Sequence, residues 1–456
     1  DLLAQFGKHQ DAIAAYEYSL LYLPNNTVLL SHIASTYTTM QKYDKALEFY
    51  ERALQIDPEN ATYWQYESYL FNNLGEFNES LSSADRAIAL DPNNSVSWNN
   101  KGFAYNSMGD YNEAVNAYSS ALNISPKNVA ALTNRGYAYL RLGNYTQAID
   151  DLSKAIRLEP NFSSAWAYRG FAYLQTGRYQ DAIRDTDRAV ELDPGNAYAW
   201  STHGMALLQK GEYRDASNSF DRALAINQIS PDIWLNKGLA LQSAKDYEGA
   251  IEAYDKVLSI DPGNSLAWAY KVAALQSLGR GEEAVILTDK GLASDPSNET
   301  FLINKGYALS VLKRLDEAML SYTQVLERDP FNIDVLLRKA MLQLEMGNPL
   351  GAIGTYNQVL EIDSDNNEAL IYQGVAYYRT GQYENALEIF DHIIALDPNV
   401  SFAWSNRAYT LIKLGRIQDS IKSFDRALEL DPRNTHAMQG KVQAIRVMWP
   451  SYSPAW

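Results

Sequence analysis

The amino-acid sequence predicts an all-α protein built from tandem helix hairpins, and three observations support this prediction. Proline returns at one constant spacing along most of the chain, as from Pro92 to Pro126. Between the prolines, two runs of apolar residues at helical spacing flank a short turn. No residue is inserted or lost between periods, because Gln228 and Ser364 fill the two positions that lack proline. Such a period is typical of stacked supersecondary repeats that pack on their neighbours. The prolines in phase are Pro24, Pro58, Pro92, Pro126, Pro160, Pro194, Pro262, Pro296, Pro330, Pro398 and Pro432.

Residues 95–128 show how one repeat is built. Trp98 and Gly102 lie four residues apart, so they share one face of a first helix. A turn follows, and a second apolar run begins at Ala114. This second helix ends before Pro126, because proline cannot continue a helix and restricts the residue before it. One hairpin cannot bury its apolar face alone, so stacked neighbours must complete the core.

Three positions of the repeat keep their residue type along the chain. The glycine and alanine positions predict that the paired helices approach closely. The tryptophan position is predicted to fill the groove between them. The large position of the first helix is Trp64, Trp98, Trp166, Trp200, Trp234, Trp268 and Trp404. The glycine position is Gly102, Gly136, Gly170, Gly204, Gly238, Gly306 and Gly374. The small position of the second helix is Ala46, Ala114, Ala148, Ala182, Ala216, Ala250, Ala284, Ala318, Ala352 and Ala386.

The pattern resembles the tetratricopeptide repeat (TPR), which has the same period and whose signature has tryptophan, glycine, tyrosine, alanine and proline at these positions. The resemblance covers essentially the whole chain. It implies a right-handed superhelical solenoid whose first helices line an inner groove that holds peptides. The predicted organisation is a partial repeat over residues 1–26 (the end of a first helix, then a second helix from Gln10 to Leu23), twelve repeats over 27–434, a capping helix over 435–448 and a proline- and aromatic-rich tail over 449–456.

The sequence departs from the TPR signature at the residue before the glycine, where a cation replaces leucine. We expect these cations to lay their stems in the groove and to pair with aspartates of the second helices. Ordinary solvation at the surface is the alternative. The cations are Lys101, Arg135, Arg169, Lys237, Lys271, Lys305, Lys339 and Arg407. The aspartates are Asp85, Asp187, Asp221, Asp255, Asp289, Asp391 and Asp425.

The candidate binding surface is an aromatic stripe on the first helices, bordered by asparagines. Rings give contact area, and asparagine can pair with the backbone of an extended chain. The alternative is that the same rings pack one repeat on the next. The residues are Tyr66, Tyr69, Asn100, Phe103, Asn134, Tyr137, Tyr168, Phe171, Asn236, Tyr270, Asn304, Tyr307, Tyr372, Asn406 and Tyr409. Few cations accompany them (Arg141, Arg338, Arg379 and Lys413), which disfavours an adaptor that grips a C-terminal carboxylate.

The composition of the chain excludes or disfavours several classes of function. A net charge of -16 disfavours a nucleic-acid partner, because phosphate binding needs a clustered positive face. The absence of cysteine excludes disulfides and thiol chemistry. No apolar run approaches the roughly 20 residues of a membrane span. The five histidines lie in separate repeats and no nucleophile–base pair stands out, so we expect no enzyme activity, no cofactor and no metal site.

Nine Asn-x-Ser/Thr sequons, a modest excess over chance, are candidates for N-glycosylation. The alternative is that polar turns favour these residue types anyway. Together with the 32 tyrosines and the lack of cysteine, they favour an extracellular or cell-surface location over the cytoplasm. The asparagines are Asn25, Asn60, Asn78, Asn93, Asn123, Asn144, Asn161, Asn298 and Asn399.

Apolar residues stand near both ends of the chain. A head-to-tail contact that does not close gives a filament, so these residues are candidates for end-to-end assembly, with simple capping as the alternative. They are Leu2, Leu3 and Phe6 at one end and Val447, Met448 and Trp449 at the other.

Three functional hypotheses follow. The first is a non-enzymatic scaffold that binds a protein or peptide through its groove and ends. The second is a structural subunit of a glycosylated surface filament, formed by head-to-tail stacking. The third is a substrate-recruiting array of a larger enzyme or chaperone adaptor.

Overall fold

The computed structural model describes residues 7–449, which form 26 α-helices joined by turns, with no β-strand in that range. The all-α fold of tandem hairpins is therefore confirmed. We label the helices in chain order, so that even numbers are first helices and odd numbers are second helices of the hairpins. They are α1 His9–Leu20, α2 Thr27–Thr39, α3 Tyr43–Ile56, α4 Ala61–Leu74, α5 Phe77–Leu90, α6 Ser95–Met108, α7 Tyr111–Ile124, α8 Val129–Arg141, α9 Tyr145–Leu158, α10 Ser163–Gln175, α11 Tyr179–Leu192, α12 Ala197–Lys210, α13 Tyr213–Ile226, α14 Pro231–Ser243, α15 Tyr247–Ile260, α16 Ser265–Ser277, α17 Gly281–Ser294, α18 Glu299–Val311, α19 Leu315–Leu326, α20 Ile333–Glu345, α21 Pro349–Ile362, α22 Asn367–Arg379, α23 Tyr383–Leu396, α24 Ser401–Lys413, α25 Ile417–Leu430 and α26 Thr435–Met448.

The helix at the C-terminal end has the predicted bounds, and the helix at the N-terminal end is shorter than predicted. Instead of continuing to Leu23, α1 ends at Leu20. The backbone N–H groups of Leu21 and Tyr22 bond carbonyls only three residues back, so the last turn tightens before Pro24.

The turn between hairpins contains the periodic proline and starts the next first helix. In many turns an aspartate before the proline accepts the N–H of the residue after it, as Asp193 does from Gly195 at 2.9 Å. An asparagine two residues after the proline then caps the next helix, as Asn128 does by accepting the N–H of Ala131 at 3.0 Å. The capping asparagines are Asn26, Asn60, Asn94, Asn128, Asn196, Asn264, Asn298, Asn332, Asn366 and Asn434.

The small positions let the two helices of a hairpin meet closely, as predicted. Every alanine of the conserved second-helix position is fully buried. At Gly102 an added Cβ would lie 2.6 Å from the ring of Tyr118, and at Gly170 it would lie 2.8 Å from Cγ2 of Thr186. Both distances are shorter than carbon atoms tolerate, so glycine is needed for the approach of the helices.

The chain divides into two compact units: unit 1 ends at Asp246 and unit 2 begins at Tyr247. Within each unit, consecutive helices pack on each other. Successive first helices also touch directly, as α4 touches α6 in unit 1 and α16 touches α18 in unit 2. No comparable contact joins successive second helices among the described residues of either unit. The first helices therefore lie on the inner side of each unit.

Candidate interaction surface on the first helices

The periodic tryptophans have a structural role that the sequence analysis missed. The indole N–H of Trp98 donates to the carbonyl of Pro92 at 3.2 Å, and that of Trp64 donates to Pro58 at 2.8 Å. The bond ties each first helix to the turn before it. Its signal in the sequence is the constant step from proline to tryptophan. The same bond forms at Trp166, Trp200, Trp268 and Trp404, and Trp234 donates to the carbonyl of Gln228, which occupies the proline position of its turn.

Each of the predicted aspartates contacts the residue before the glycine position of the next first helix, which is a lysine or arginine in six pairs and His203 in the pair of Asp187. The separation along the chain is the same in every pair, and the nitrogen–oxygen distances run from 2.5 to 3.1 Å. The six pairs with lysine or arginine are ion pairs, whereas burial lowers the pKa of His203, so its contact with Asp187 is a hydrogen bond of a neutral imidazole. All seven contacts join a second helix to the following first helix. The pairs are Asp85–Lys101, Asp187–His203, Asp221–Lys237, Asp255–Lys271, Asp289–Lys305, Asp391–Arg407 and Asp425–Lys441.

The predicted partner was wrong for two arginines. Arg135 and Arg169 each bond an aspartate on the second helix of their own hairpin, Asp151 and Asp185. The bond of Arg135 to Asp151 is bidentate, at 2.6 and 2.9 Å. Serine stands where the expected aspartate would be, and it accepts a further N–H from the arginine, as Ser119 does from Arg135 at 2.9 Å. At Lys339 both positions are threonine, so the sequence offers it no carboxylate there.

The exposed residues of the first helices fall mainly at four positions: the second, sixth, ninth and thirteenth residues after the end of the preceding turn. We call these positions the inner stripe. In unit 1 it comprises Val28, His32, Ser35 and Thr39 on α2; Thr62, Tyr66, Tyr69 and Asn73 on α4; Val96, Asn100, Phe103 and Ser107 on α6; Ala130, Asn134, Tyr137 and Arg141 on α8; Ser164, Tyr168, Phe171 and Gln175 on α10; Tyr198, Thr202, Met205 and Gln209 on α12; and Asp232, Asn236, Leu239 and Ser243 on α14.

Every groove residue predicted from the sequence lies on the inner stripe of unit 1 or at the same positions of unit 2. The exposed members are Tyr66, Tyr69, Phe103 and Tyr307, each with about two fifths of its surface accessible. Asn134, Tyr137, Tyr168, Phe171, Asn236, Tyr270, Tyr372, Asn406 and Tyr409 are half-buried, and Asn100 and Asn304 are buried.

Several asparagines of the stripe are engaged inside the protein. The amide of Asn100 donates to the carbonyl of Gln65 on the preceding first helix at 3.0 Å. Those of Asn236 and Asn406 donate to carbonyls four residues back in their own helices, at 2.9 Å. Their donors therefore serve local structure, and the rings supply most of the free surface.

In unit 2, some of the predicted rings pack one hairpin on the next. The ring of Tyr409 lies 4.3 Å from that of His436, and its hydroxyl donates to the His436 carbonyl at 2.8 Å. Tyr270 packs against Tyr254, with ring centroids 5.9 Å apart. These two tyrosines therefore pack one repeat on the next, which was the alternative to a role in the binding surface.

In unit 1, four rings from three successive first helices form one continuous group, which we call the aromatic cluster. Its members are Tyr137, Tyr168, Phe171 and Tyr198. The centroids of Tyr137 and Tyr168 lie 4.9 Å apart, those of Tyr168 and Tyr198 5.3 Å, and those of Phe171 and Tyr198 5.8 Å. Burial raises the pKa of Tyr168, so its hydroxyl stays protonated. Tyr198 was missed because the sequence analysis considered only the sixth and ninth positions.

The inner stripe of unit 1 is almost free of charge. From α2 to α12, Arg141 is its sole lysine, arginine, aspartate or glutamate, and α14 adds Asp232. Over residues 27–243 the first helices carry one other carboxylate, Glu67, which is buried and accepts a hydrogen bond from Ser83 at 2.6 Å. The remaining acidic residues of this range lie on second helices or in turns. At the same positions of unit 2, charges of both signs occur, including Asp334, Arg338, Glu345, Glu368 and Arg379.

Comparison with protein families matches this repeat along most of the chain. Models described as "Tetratricopeptide repeat" match residues 28–60, 84–116, 133–197, 201–265, 241–301, 300–332, 337–401 and 401–434. A model described as "TPR repeat" matches residues 102–143. The chain belongs to the tetratricopeptide repeat family. No curated protein matches the chain at a significant level.

Several solved structures are similar to this one, and two of the following three are described as TPR proteins. The APC/C hetero-tetramer Cut9-Hcn1 contains a chain 14% identical, with 93% of this chain and 98% of that chain covered and a TM-score of 0.41. A TPR protein from Parabacteroides merdae is 20% identical, with 55% and 98% covered and a TM-score of 0.41. YrrB, described as a TPR protein with an unusual peptide-binding site, is 23% identical, with 40% and 95% covered and a TM-score of 0.34.

The sequons of this TPR chain occupy turns, helix starts and helix ends. Seven of the asparagines are exposed: Asn25, Asn78, Asn93, Asn123, Asn144, Asn161 and Asn399. Asn60 and Asn298 are half-buried helix caps, and their amide nitrogens donate to Asp57 and Asp295 at 3.1 and 3.3 Å. A glycan on either of these two would be attached to a nitrogen that already holds the turn.

Of the end-to-end assembly candidates, Leu2, Leu3 and Phe6 lie outside the described residues. Val447 and Trp449 are more than half exposed, and Met448 is half-buried.

Residues 7–449 bring together no group of three or more histidine, aspartate or glutamate side chains suited to a metal ion. Within the same residues, none of the helices has both the length and the apolar character that a membrane crossing requires.

Proposed function

We propose that this protein is a non-enzymatic TPR scaffold that binds an extended segment of a protein partner along the inner stripe of unit 1. The observation that carries the proposal is a run of accessible rings, nearly free of charge, across successive first helices of a protein with a net charge of -16. Exposed contiguous apolar surface of this kind marks interaction sites.

The stripe has the chemistry that an extended segment needs. Tyr66, Tyr69 and Phe103 offer large, rigid contact area at low cost in side-chain entropy. Exposed amides at the thirteenth position, Gln175 and Gln209, can bond the backbone of the segment. These amides take over the role that the sequence analysis gave to the asparagines at the sixth position.

The experiment is selection of a random peptide library on the whole protein, followed by measurement of the affinity of the selected peptides by fluorescence anisotropy. The double variant Tyr69→Ser, Phe103→Ser removes two exposed rings of the stripe. We expect it to weaken binding by about tenfold or more, because truncated aromatic anchors typically cost over about 1 kcal/mol each.

The matched control is Phe331→Ser, which removes a ring that is 72% exposed in a turn of unit 2. It should leave the affinity unchanged. Equal losses in both variants, or none in either, would place the binding surface elsewhere.

The filament hypothesis remains a second proposal, supported by the exposed Val447 and Trp449 at the last helix. It expects ordered polymers in electron micrographs of the native protein and carbohydrate on the exposed sequons. A monodisperse monomer at high concentration in light scattering would argue against it. Intact mass spectrometry of the same sample reports the glycans, and so tests the extracellular location.

The third hypothesis, a recruiting array of a larger enzyme or a chaperone adaptor, requires further sequence in the natural gene product or a bound chaperone tail. Intact mass spectrometry of the native protein tests the former. Binding of a peptide with a free C-terminal carboxylate, compared with its amidated form, tests the latter.

A further inference from the structure

We propose that Arg141, together with the aromatic cluster, forms a subsite for one acidic side chain of the partner segment, flanked by apolar side chains. This inference rests on the proposed function and specifies the chemistry of the partner. It concerns an internal aspartate or glutamate of the segment, not a chain terminus.

Arg141 is exposed at the end of α8, and aromatic groups surround its guanidinium. The guanidinium carbon lies 4.8 Å from the centroid of the Tyr111 ring and 6.0 Å from that of Tyr137. Nη1 donates to the Tyr137 hydroxyl at 3.1 Å. This bond raises the pKa of Arg141 further, so the group is a permanent cation.

Most of the hydrogen-bonding capacity of Arg141 is unused. A guanidinium has five N–H donors, arranged in a fork that matches a carboxylate. Within residues 7–449, its side-chain hydrogen bond is the one to Tyr137, and no carboxylate forms an ion pair with it. Arg135 and Arg178, by contrast, each hold an aspartate. Arg141 on the inner stripe therefore has no acidic partner, although the chain has 55 acidic residues and only 39 basic ones.

Because Arg141 lies on a stripe that is almost free of carboxylates, an acidic side chain of a partner segment should bind there and not elsewhere on the protein. The acidic residues elsewhere give the chain its charge of -16, which repels an acidic segment. Along the stripe from α2 to α12 no carboxylate opposes such a segment, and the one charge present attracts it. The neighbouring rings exclude water from one side, which strengthens a charge-assisted bond.

The aromatic cluster supplies the flanking apolar contacts. Tyr168 and Phe171 lie on the next first helix, and Tyr198 lies on the one after it. A segment crossing these helices meets Arg141 first and the rings of α10 and α12 next. We therefore expect an acidic residue followed or preceded within a few positions by apolar or aromatic residues.

The test uses the full chain and a random peptide library displayed as an N-terminal fusion, so that no peptide has a free C-terminal carboxylate. Selection is run in parallel on the wild type, on Arg141→Gln and on Arg178→Gln. The last is a matched control, since Arg178 also stacks on a tyrosine, at 4.2 Å from the Tyr173 ring, but is paired with Asp181. Circular dichroism verifies that each variant is folded.

We expect the wild type and Arg178→Gln to enrich peptides with an acidic residue among apolar ones, and Arg141→Gln to enrich peptides without the acid. A selected peptide, made with an amidated C-terminus, should then bind the wild type at least tenfold more tightly than its glutamine analogue. On Arg141→Gln the two peptides should bind equally.

The outcomes separate the two proposals. If the wild type enriches neutral peptides, or if Arg141→Gln keeps the preference for acid, the subsite is overturned and the inner stripe remains a binding surface. If nothing is enriched on the wild type, the proposed function fails, and this inference fails with it.

Discussion

Gly170 shows how much a single residue decides in this fold, because the paired helices of its hairpin meet over its missing side chain. Leucine there would collide with Thr186 and with the backbone of Ala182. We expect Gly170→Leu to lower the free energy of unfolding by about 1–3 kcal/mol through overpacking. Urea unfolding followed by circular dichroism measures the change.

A second glycine provides the control for this prediction. Gly354 lies within α21 with open space around it. Alanine there should stabilise the protein by roughly 0.5–1 kcal/mol, because it favours the helix and meets no neighbour. A loss at Gly354 similar to that at Gly170 would mean that packing is not the cause.

The ion pairs formed by the residue before the glycine position differ in how deeply the aspartate is buried. We therefore expect them to contribute differently to the free energy of unfolding. Asp185 is buried, so Arg169→Leu leaves a carboxylate without its partner. We expect a loss of about 3–5 kcal/mol. Lys101→Leu at the equivalent position leaves Asp85 with 58% of its side chain exposed, and should cost below about 1 kcal/mol. Equal losses in urea unfolding would contradict the role of burial.

Glu67 makes stability depend on pH. It takes the place that cations occupy in other hairpins, and burial raises its pKa, with Glu51 adding to the effect and the Ser83 hydroxyl opposing it. The folded state therefore favours the protonated acid. Its contribution to stability is fully present below the unfolded value, near 4.5, and is lost as the pH rises through the raised folded pKa.

Glu67→Gln should consequently become more stable than the wild type as the pH rises from 4 to 8. Urea unfolding at a series of pH values measures the difference in the free energy of unfolding. Glu113→Gln, on an exposed part of α7, is the control and should show no such trend. A constant difference for Glu67→Gln across the series would contradict a buried ionisable group.

At the residue scale, sequence prediction worked where each hairpin repeats one contact. The glycine and alanine positions and the aspartate–cation pairs were predictable because a fixed period places equivalent residues in equivalent surroundings. The exchange of partner at Arg135 and Arg169 was missed, because a residue on the second helix before the cation and one on the second helix after it both lie within its reach, as Ser119 and Asp151 do for Arg135. The partner is the residue at whichever of these two positions holds the aspartate.

At the scale of the element, the turn between hairpins starts the next first helix. Asn128 accepts the N–H of Ala131, and the preceding Pro126 ends the earlier helix. We expect Asn128→Ala to cost about 1 kcal/mol, the usual value for a lost N-cap. The neighbouring Lys127 is exposed in the same turn, so Lys127→Ala should have little effect. Thermal unfolding of the two variants distinguishes capping from a general effect of the turn.

The bounds of most helices follow from these turns, which is why the sequence predicted the hairpins well. The end of α1 was mispredicted because its last turn tightens, and apolar spacing does not report this. The sequence likewise predicted only part of the candidate interaction surface. Periodicity locates the exposed face of a first helix, but contacts between neighbouring helices decide which rings remain free. Tyr409 is taken up by such a contact, whereas Tyr69 stays exposed.

At the scale of the whole molecule, charge is sorted between the two kinds of helix. In unit 1 the second helices and turns carry nearly all the carboxylates, and the inner stripe carries Arg141 and Asp232. Part of the acidic charge is neutralised by the pairs that join successive hairpins. The sorting leaves an almost uncharged surface in a protein that is otherwise strongly acidic. This distribution of charge is a property of the sequence, but it could be recognised only when the structure showed which positions are exposed.

The repeat architecture makes a prediction that would fail for a fold held together by contacts between distant parts of the chain. Because each hairpin contacts mainly its neighbours in the chain, removing one whole hairpin should leave the others able to pack. Deletion of residues 367–400 removes α22 and α23 and brings α21 against α24 in the same phase, with Asn366 still in place as the cap. We expect the mean helicity per residue to be unchanged and unfolding to remain cooperative.

Deletion of residues 367–382 instead removes one helix and leaves a second helix where a first helix should pack. That variant should lose helicity or aggregate, although it loses fewer residues. Far-UV circular dichroism and thermal unfolding of the two deletions decide the matter. If the larger deletion is the more damaging of the two, the hairpins do not behave as equivalent, locally packed elements.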